Sequence, residues 1–167
     1  MTHPLVEQLR FARSEFVRSL AGVTDEDAQR RIEPMNSISW MIGHLTTQET
    51  FYWNRMGQGT KVHADLWQLV GSGQPASTPP LEEMWTAWRD VTAAADPYLD
   101  TLTTEMLTQH WQRGDQSWNE SIGTCLLRNI YHYWFHNGEA QGVRQVLGHT
   151  DLPQFVGNMA HNPYVPE

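Results

Sequence analysis

The feature that most constrains the fold is the segment from about Glu120 to Leu147, a helix-length run with apolar residues on two of its sides. At about 3.6 residues per turn, His132 and His136 project from one face a turn apart. Cys125, Glu139, Val143 and Val146 share that face. Leu127, Ile130, Tyr131 and Trp134 form a second stripe roughly opposite. A helix apolar on two sides must bury both, so the chain needs other helices around this one. Either the tail residues Leu152, Phe155 and Val156 or a second subunit is expected to cover the outer stripe, and a twofold homodimer is the ordinary form of the latter.

Three other segments supply the packing partners. Leu5, Leu9, Ala12, Phe16 and Leu20 recur at helical spacing and define a first helix. Thr24 ahead of Asp25–Asp27 reads as the cap of a short turn that Pro34 ends. Asn36 or Ser37 then caps a second helix running to about Met56, where Gly57 and Gly59 favour a stop. Its inner face carries Trp40, Met41, His44, Phe51 and Tyr52. The stretch Gly71–Pro80 is a loop. Thr78 and Pro79 read as the start of a third helix, whose stripe is Leu81, Trp85, Trp88, Val91, Ala95, Leu99 and Leu102. Pro97 is expected to kink or break it. Thr103–Ser117 has no sustained period and reads as a connection turning at Gly114 and Asp115. Ser117 and Glu120 make a capping box ahead of the last helix. Gly148 suits a left-handed exit from it, and the proline-containing tail beyond is expected to wrap the body in extended form.

These four helices, within 167 residues, predict one all-α domain, 1–167, built as a four-helix bundle. The chain is 40% hydrophobic and 18% charged, as folded globular chains are. A net charge of −8 opposes nucleic-acid and anionic-membrane partners. The single cysteine, Cys125, permits no intrachain disulfide and no thiolate-paired zinc site, and fits a cytoplasmic location. The start of the sequence has charges and amphipathic periodicity where a signal peptide would be continuously apolar. No stretch has the apolar length of a membrane span. Eight tryptophans supply core area and the walls of ligand pockets.

His44 sits among Trp40, Met41, Gln48 and Phe51, so a second helix aims an imidazole at the core that His132 and His136 face. Three neutral imidazoles around a divalent ion such as Zn, Ni or Fe leave a position open for water or substrate. Histidines four apart also occur as ordinary hydrogen-bonded core residues, so spacing leaves both readings open. Gln48, one turn beyond His44, is a candidate donor to a ligand at the site. Arg55, Arg128 and Arg144 are candidates to grip an anionic substrate group. Cys125 lies too far along the axis to join the site, and Glu49 points off the face of His44. His3, His63, His110, His149 and His161 read as solvated.

The stretches NSISWMIGHLTTQETFYW and HYWFHNGEAQGVRQVLGH resemble the second and last helices of the DinB/YfiT-like superfamily of metal-binding helical bundles. The resemblance covers most of the chain. It implies an up-down-down-up bundle with a long link between helices two and three, a divalent metal held by His44, His132 and His136, and frequent homodimers. It also implies kinship with transferases and isomerases that use low-molecular-weight thiols such as bacillithiol and mycothiol. The family commonly has Gly-Gln after its last histidine, whereas this chain has Gly138 and Glu139. Glu139 could orient a bound water, act as base, complete the coordination, or pair with an arginine. The expected activity is thus metal-dependent S-transfer from a small thiol to an electrophile, or a hydrolase chemistry. The alternatives are a non-catalytic metal-binding or stress-associated module, and a bundle that binds an apolar ligand without metal.

Overall fold

A computed structural model describes residues 2–154 and 156–164 and is mostly helical, with one two-stranded sheet. Helix α1 (Pro4–Ser19) starts with proline at its first position, where no N–H is needed, and His3 Nδ1 accepts from the Leu5 amide at 3.1 Å. Thr24 caps α2 (Asp25–Gln29) by accepting from the Asp27 amide. Ser37, not Asn36, caps α3 (Ile38–Glu49) by accepting from Trp40 N–H at 3.2 Å. The helix continues to Met56 as the sequence predicts, but Thr50–Met56 is π-helical. Tyr52, Trp53 and Asn54 of this segment are all buried.

The link that follows is more structured than its loop-like composition predicts. A tight turn, Ala64–Leu66, leads into α4 (Trp67–Val70), which docks through Leu66 and Val70. Helix α5 (Leu81–Leu99) begins two residues later than a Thr78 cap would set it. Its first amide, Leu81 N–H, is accepted by Asp25 Oδ1 of α2 at 2.8 Å, so a neighbouring helix supplies the cap. Pro97 does not break α5; it falls in the last turn, and the helix ends two residues on. Leu102 is buried beyond the helix end.

After α6 (Thr104–Leu107), the segment expected to be an irregular connection forms a hairpin of β1 (Gln112–Arg113) and β2 (Gln116–Ser117), with Gly114 in left-handed geometry. Ser117 is thereby committed to a strand, and the cap of α7 (Ile122–Val146) is Ser121, which accepts from Thr124 N–H at 3.1 Å. Glu120 pairs with Arg128 instead of closing a capping box. Gly148 leaves α7 at φ +84 as expected.

Helix α7 lies against α1 and α3, and α3 against α5. The outer stripe of α7 divides. Ile130 is buried and Trp134 packs on Phe11 of α1 at 6.0 Å, while Tyr131 and Phe135 stay exposed. Helix α1 covers part of the stripe, through Phe11 on Trp134, while Gln154 O accepts from Arg18 and Gly157 N–H donates to Glu15, which places these tail residues along α1. Val156 is exposed, and Phe155 lies outside the described residues. Val146, expected to face inward, is also exposed.

Glu49, set aside in the sequence reading, is fully buried and accepts from Arg13 Nε at 2.8 Å and from Tyr133 OH at 2.9 Å. Trp88 Nε1 donates to the Tyr133 oxygen at 2.7 Å, and Arg13 also reaches Asp96 at 2.7 Å. A buried carboxylate is tolerable only when its lone pairs are filled in this way. The network joins α1, α3, α5 and α7.

Candidate metal centre

His44 on α3 and His132 and His136 on α7 meet: one ring nitrogen from each lies within 4.8 Å of the others. His136 is buried, while His44 and His132 border a cavity. Each Nδ1 is already engaged. His44 Nδ1 lies 2.9 Å from Val70 O, His132 Nδ1 lies 2.7 Å from Gln48 Oε1, and His136 Nδ1 lies 2.7 Å from Glu139 Oε2. All three partners are oxygens that can only accept, so each Nδ1 carries the proton and donates. Nε2 is then the bare nitrogen on every ring.

His132 Nε2 and His136 Nε2 face each other at 2.9 Å. With both Nδ1 protons committed, this contact opposes two lone pairs in a water-poor place, unless a cation sits between them. Zinc takes imidazole nitrogen at ~2.0–2.1 Å, which puts two tetrahedral ligands roughly 3.3 Å apart. The His132–His136 spacing of 2.9 Å is a few tenths of an ångström short of that, and the three ligand nitrogens all lie within 4.8 Å of one another, so the residues fit an ion once their side chains adjust. Burial, and then the neighbouring His136 and His44, push His132 down to about 3. Burial likewise lowers His44. Both stay neutral, the form a metal requires.

The surroundings hold the rings in place. Trp40 stacks on His44 with centroids 4.4 Å apart and planes 13° apart. Asn129 donates to Gln48 Oε1 at 3.0 Å and accepts from Trp53 Nε1 at 2.7 Å, so a chain of hydrogen bonds runs from the π-helical segment to His132. Burial raises the Glu139 carboxyl, but its hydrogen bonds with His136 and Asn36 outweigh it and hold Glu139 below its ordinary range. Gln48 and Glu139 thus accept from ligand imidazoles, where the sequence allowed Gln48 to donate to a bound ligand and Glu139 to pair with an arginine. Such outer partners set ring orientation and tautomer.

A cavity of about 1010 Å³ opens beside His44 and His132, walled by Phe51, Tyr52, Trp67, Trp118, Tyr131 and Phe135. Of the arginines proposed for substrate, only Arg128 borders it. Arg144 is buried and donates to Ser19 O and to His149, and Arg55 lines none of the cavities described. Arg113 on β1 borders the cavity and was not anticipated, because the hairpin that carries it was not. Cys125 is buried, with burial pushing its thiol up to about 12. Several outlying histidines are partnered: His63 with Asp90 at 2.9 Å, His110 with Trp118 O at 2.8 Å, and His149 with Asp27 at 3.2 Å. Asn129, unlike Val70 O, left a sequence signal: a polar residue on an apolar face one turn before His132.

No helix of the described residues is long and apolar enough to cross a membrane. The sequence model of the family described as mycothiol-S-transferase matches residues 4–148. Among solved structures, a conserved protein from Enterococcus faecalis superposes with a TM-score of 0.67 over 87% of this chain and 96% of that one, at 17% identity, which establishes a shared fold. No curated protein matches.

Proposed function

The chain belongs to the mycothiol-S-transferase family, within the DinB/YfiT-like superfamily, and from that premise we propose that it is a divalent-metal-dependent S-transferase. In this reading His44, His132 and His136 hold the ion, a low-molecular-weight thiol of the mycothiol kind is one substrate, and a small electrophile is the other. An up-down-down-up four-helix bundle, a homodimer and a cytoplasmic location complete the proposal. The observation that carries it is the convergence of three bare Nε2 atoms, each fixed by an Nδ1 hydrogen bond, at the wall of an aromatic cavity.

When bound, a Zn, Ni or Fe ion there would act as a Lewis acid that lowers the pKa of a thiol into the neutral range. The chain's own residues do the rest. Val70 O, Gln48 and Glu139 keep the three imidazoles in one tautomer. The aromatic walls offer apolar surface that orients an apolar electrophile. Tyr52, pushed up to about 12 by burial, remains a proton donor on the cavity wall. The cavity lining contains no cysteine, so the sulfur must arrive with a substrate. Overall, R–SH and R′–X give R–S–R′ and HX. At about 1010 Å³ the cavity is at the upper end of ordinary ligand sites, which suits two substrates side by side.

The test is elemental analysis of wild type and His132→Ala after dialysis without chelator, followed by mycothiol-dependent consumption of 1-chloro-2,4-dinitrobenzene. About one equivalent of metal in wild type only, with thiol-dependent turnover, is the expected result. Metal without turnover would leave a non-catalytic metal-binding module. No metal after supplementation would sink the proposal. Glu139→Gln should slow turnover while keeping most of the metal, and an unchanged rate removes Glu139 from the mechanism.

A further inference from the structure

The lining of the metal-side cavity contains two arginines, Arg113 and Arg128, and no aspartate or glutamate. This is an inversion of the chain's composition, which has nineteen acidic residues against eleven lysines and arginines. The two arginines are not equivalent. Arg128 is held by Glu120 through Nε at 2.9 Å and through Nη2, so its charge is compensated. Glu120 itself lines only the adjoining recess of about 620 Å³, which Arg113 also borders. Among the described residues, Arg113 makes no side-chain hydrogen bond or ion pair.

The backbone beneath Arg113 is fixed. It pairs with Gln116 across the hairpin, Trp118 N–H donates to Trp111 O at 2.7 Å, and His110 Nδ1 donates to Trp118 O at 2.8 Å. Trp118 in turn packs on Phe51 at 5.3 Å, so the strand and the aromatic wall form one unit. Arg113 is exposed, and an unpaired guanidinium at the border of an aromatic-walled cavity suits one small planar oxyanion on an apolar body, gripped in bidentate fashion. Polyanions are opposed by the net charge of −8.

We infer that Arg113 is a specificity-determining residue that binds the carboxylate of an aromatic or similarly apolar acid in the cavity beside the three histidines. This rests on the reading of that cavity as the substrate site. The electrophile would then lie with its acid group at the hairpin and its reacting carbon toward His44 and His132.

The experiment uses the full chain and two isosteric probes, 4-phenylbutyrate and 4-phenylbutyramide, with binding read by calorimetry and by tryptophan fluorescence. Wild type should prefer the carboxylate by about tenfold or more. Arg113→Gln should bring the probes to within about twofold of each other while amide affinity stays unchanged, which also shows that the variant is folded. Arg113→Lys should be intermediate. His132→Ala should keep the preference, since the ion does not produce it. Equal binding of both probes by wild type, no binding of either, or a preference that survives Arg113→Gln would each overturn the inference. Absence of metal would defeat the transferase reading and leave these ratios intact, so the two failures are distinguishable.

Discussion

Replacing Gln48 by leucine tests whether the residues around the histidines set metal affinity. Gln48 Oε1 accepts from His132 Nδ1 at 2.7 Å and from Asn129 Nδ2 at 3.0 Å, so the change strips an acceptor from two donors. Asn129 is fully buried, and leaving its N–H₂ without a partner costs ~1–3 kcal/mol. His132 borders the cavity, where water can replace the lost acceptor, so its own share is at the low end. A chain of this length should therefore melt lower by roughly 2–4 °C per kcal/mol lost. The metal-specific effect is separate: without an acceptor at Nδ1 the imidazole is no longer held in the tautomer with Nε2 bare. Loss of such an outer partner weakens metal affinity ~10–100-fold, or about 1.4–2.7 kcal/mol. Competition against a fluorescent zinc chelator measures this directly. Melts with and without zinc give the same quantity through the ligand-dependent rise in stability. Gln48→Glu, which keeps an acceptor, should retain wild-type affinity or better. If Gln48→Leu lowers the melting temperature of the metal-free protein but binds zinc as tightly as wild type, Gln48 merely packs and the argument fails.

Two further outcomes follow from the buried charges. Glu49→Ala leaves the buried Arg13 with only the partly exposed Asp96 as an ionic partner and should cost about 3 kcal/mol, the low end for a broken buried pair, in urea denaturation, whereas Arg13→Met with Glu49→Leu should recover most of it; a double variant as unstable as the single would refute this. In metal-free protein, His132 titrates near 3 when folded against an ordinary 6.5. Between those values the unfolded chain binds more protons, so stability falls as pH falls through that window, by at most about 1.4 kcal/mol per pH unit from this group. Lowering of His44 acts in the same direction. Urea midpoints at pH 7 and 5 should therefore converge in His132→Ala relative to wild type, and an unchanged difference would refute the assignment.

The histidine constellation was legible because helical period is a local property. His132 and His136 are four apart on a strongly apolar helix, and His44 stands among large apolar residues on another. Thr24, Ser37 and Gly148 were legible for the same reason, since a cap is written within three residues of the helix end it serves. Features written across the chain were not. The cap of α5 is Asp25, 56 residues away, and a local reading could only offer Thr78. Ser117 and Ser121 both precede the last helix at plausible distances, and the choice between them depends on a hairpin whose two-residue strands are too short for alternation to register. Arg13 and Glu49 each look like a misplaced charge until the 36-residue gap between them is closed.

The acceptor for His44 lies deepest in this class, because it is a backbone oxygen and no side chain announces it. Val70 O reaches His44 Nδ1 only because α4 lies tight against α3. That approach depends on Gly43, the residue before the ligand: a Cβ there would stand 2.5 Å from Met84 Sδ and 2.9 Å from Val70 Cγ2. The methionine end could yield, but a β-branched valine buried to 0% exposure has nowhere to go without moving α4. The link between α3 and α5 is therefore part of the site. A glycine permits the contact, a buried valine anchors it, and the carbonyl that results fixes which nitrogen of His44 stays free. The three imidazoles share one tautomer through a backbone carbonyl, an amide and a carboxylate, contributed by three separate stretches of chain. A His-x-x-x-His search finds the ligands, and only the packing around Gly43 explains why the third one is presented with the correct nitrogen.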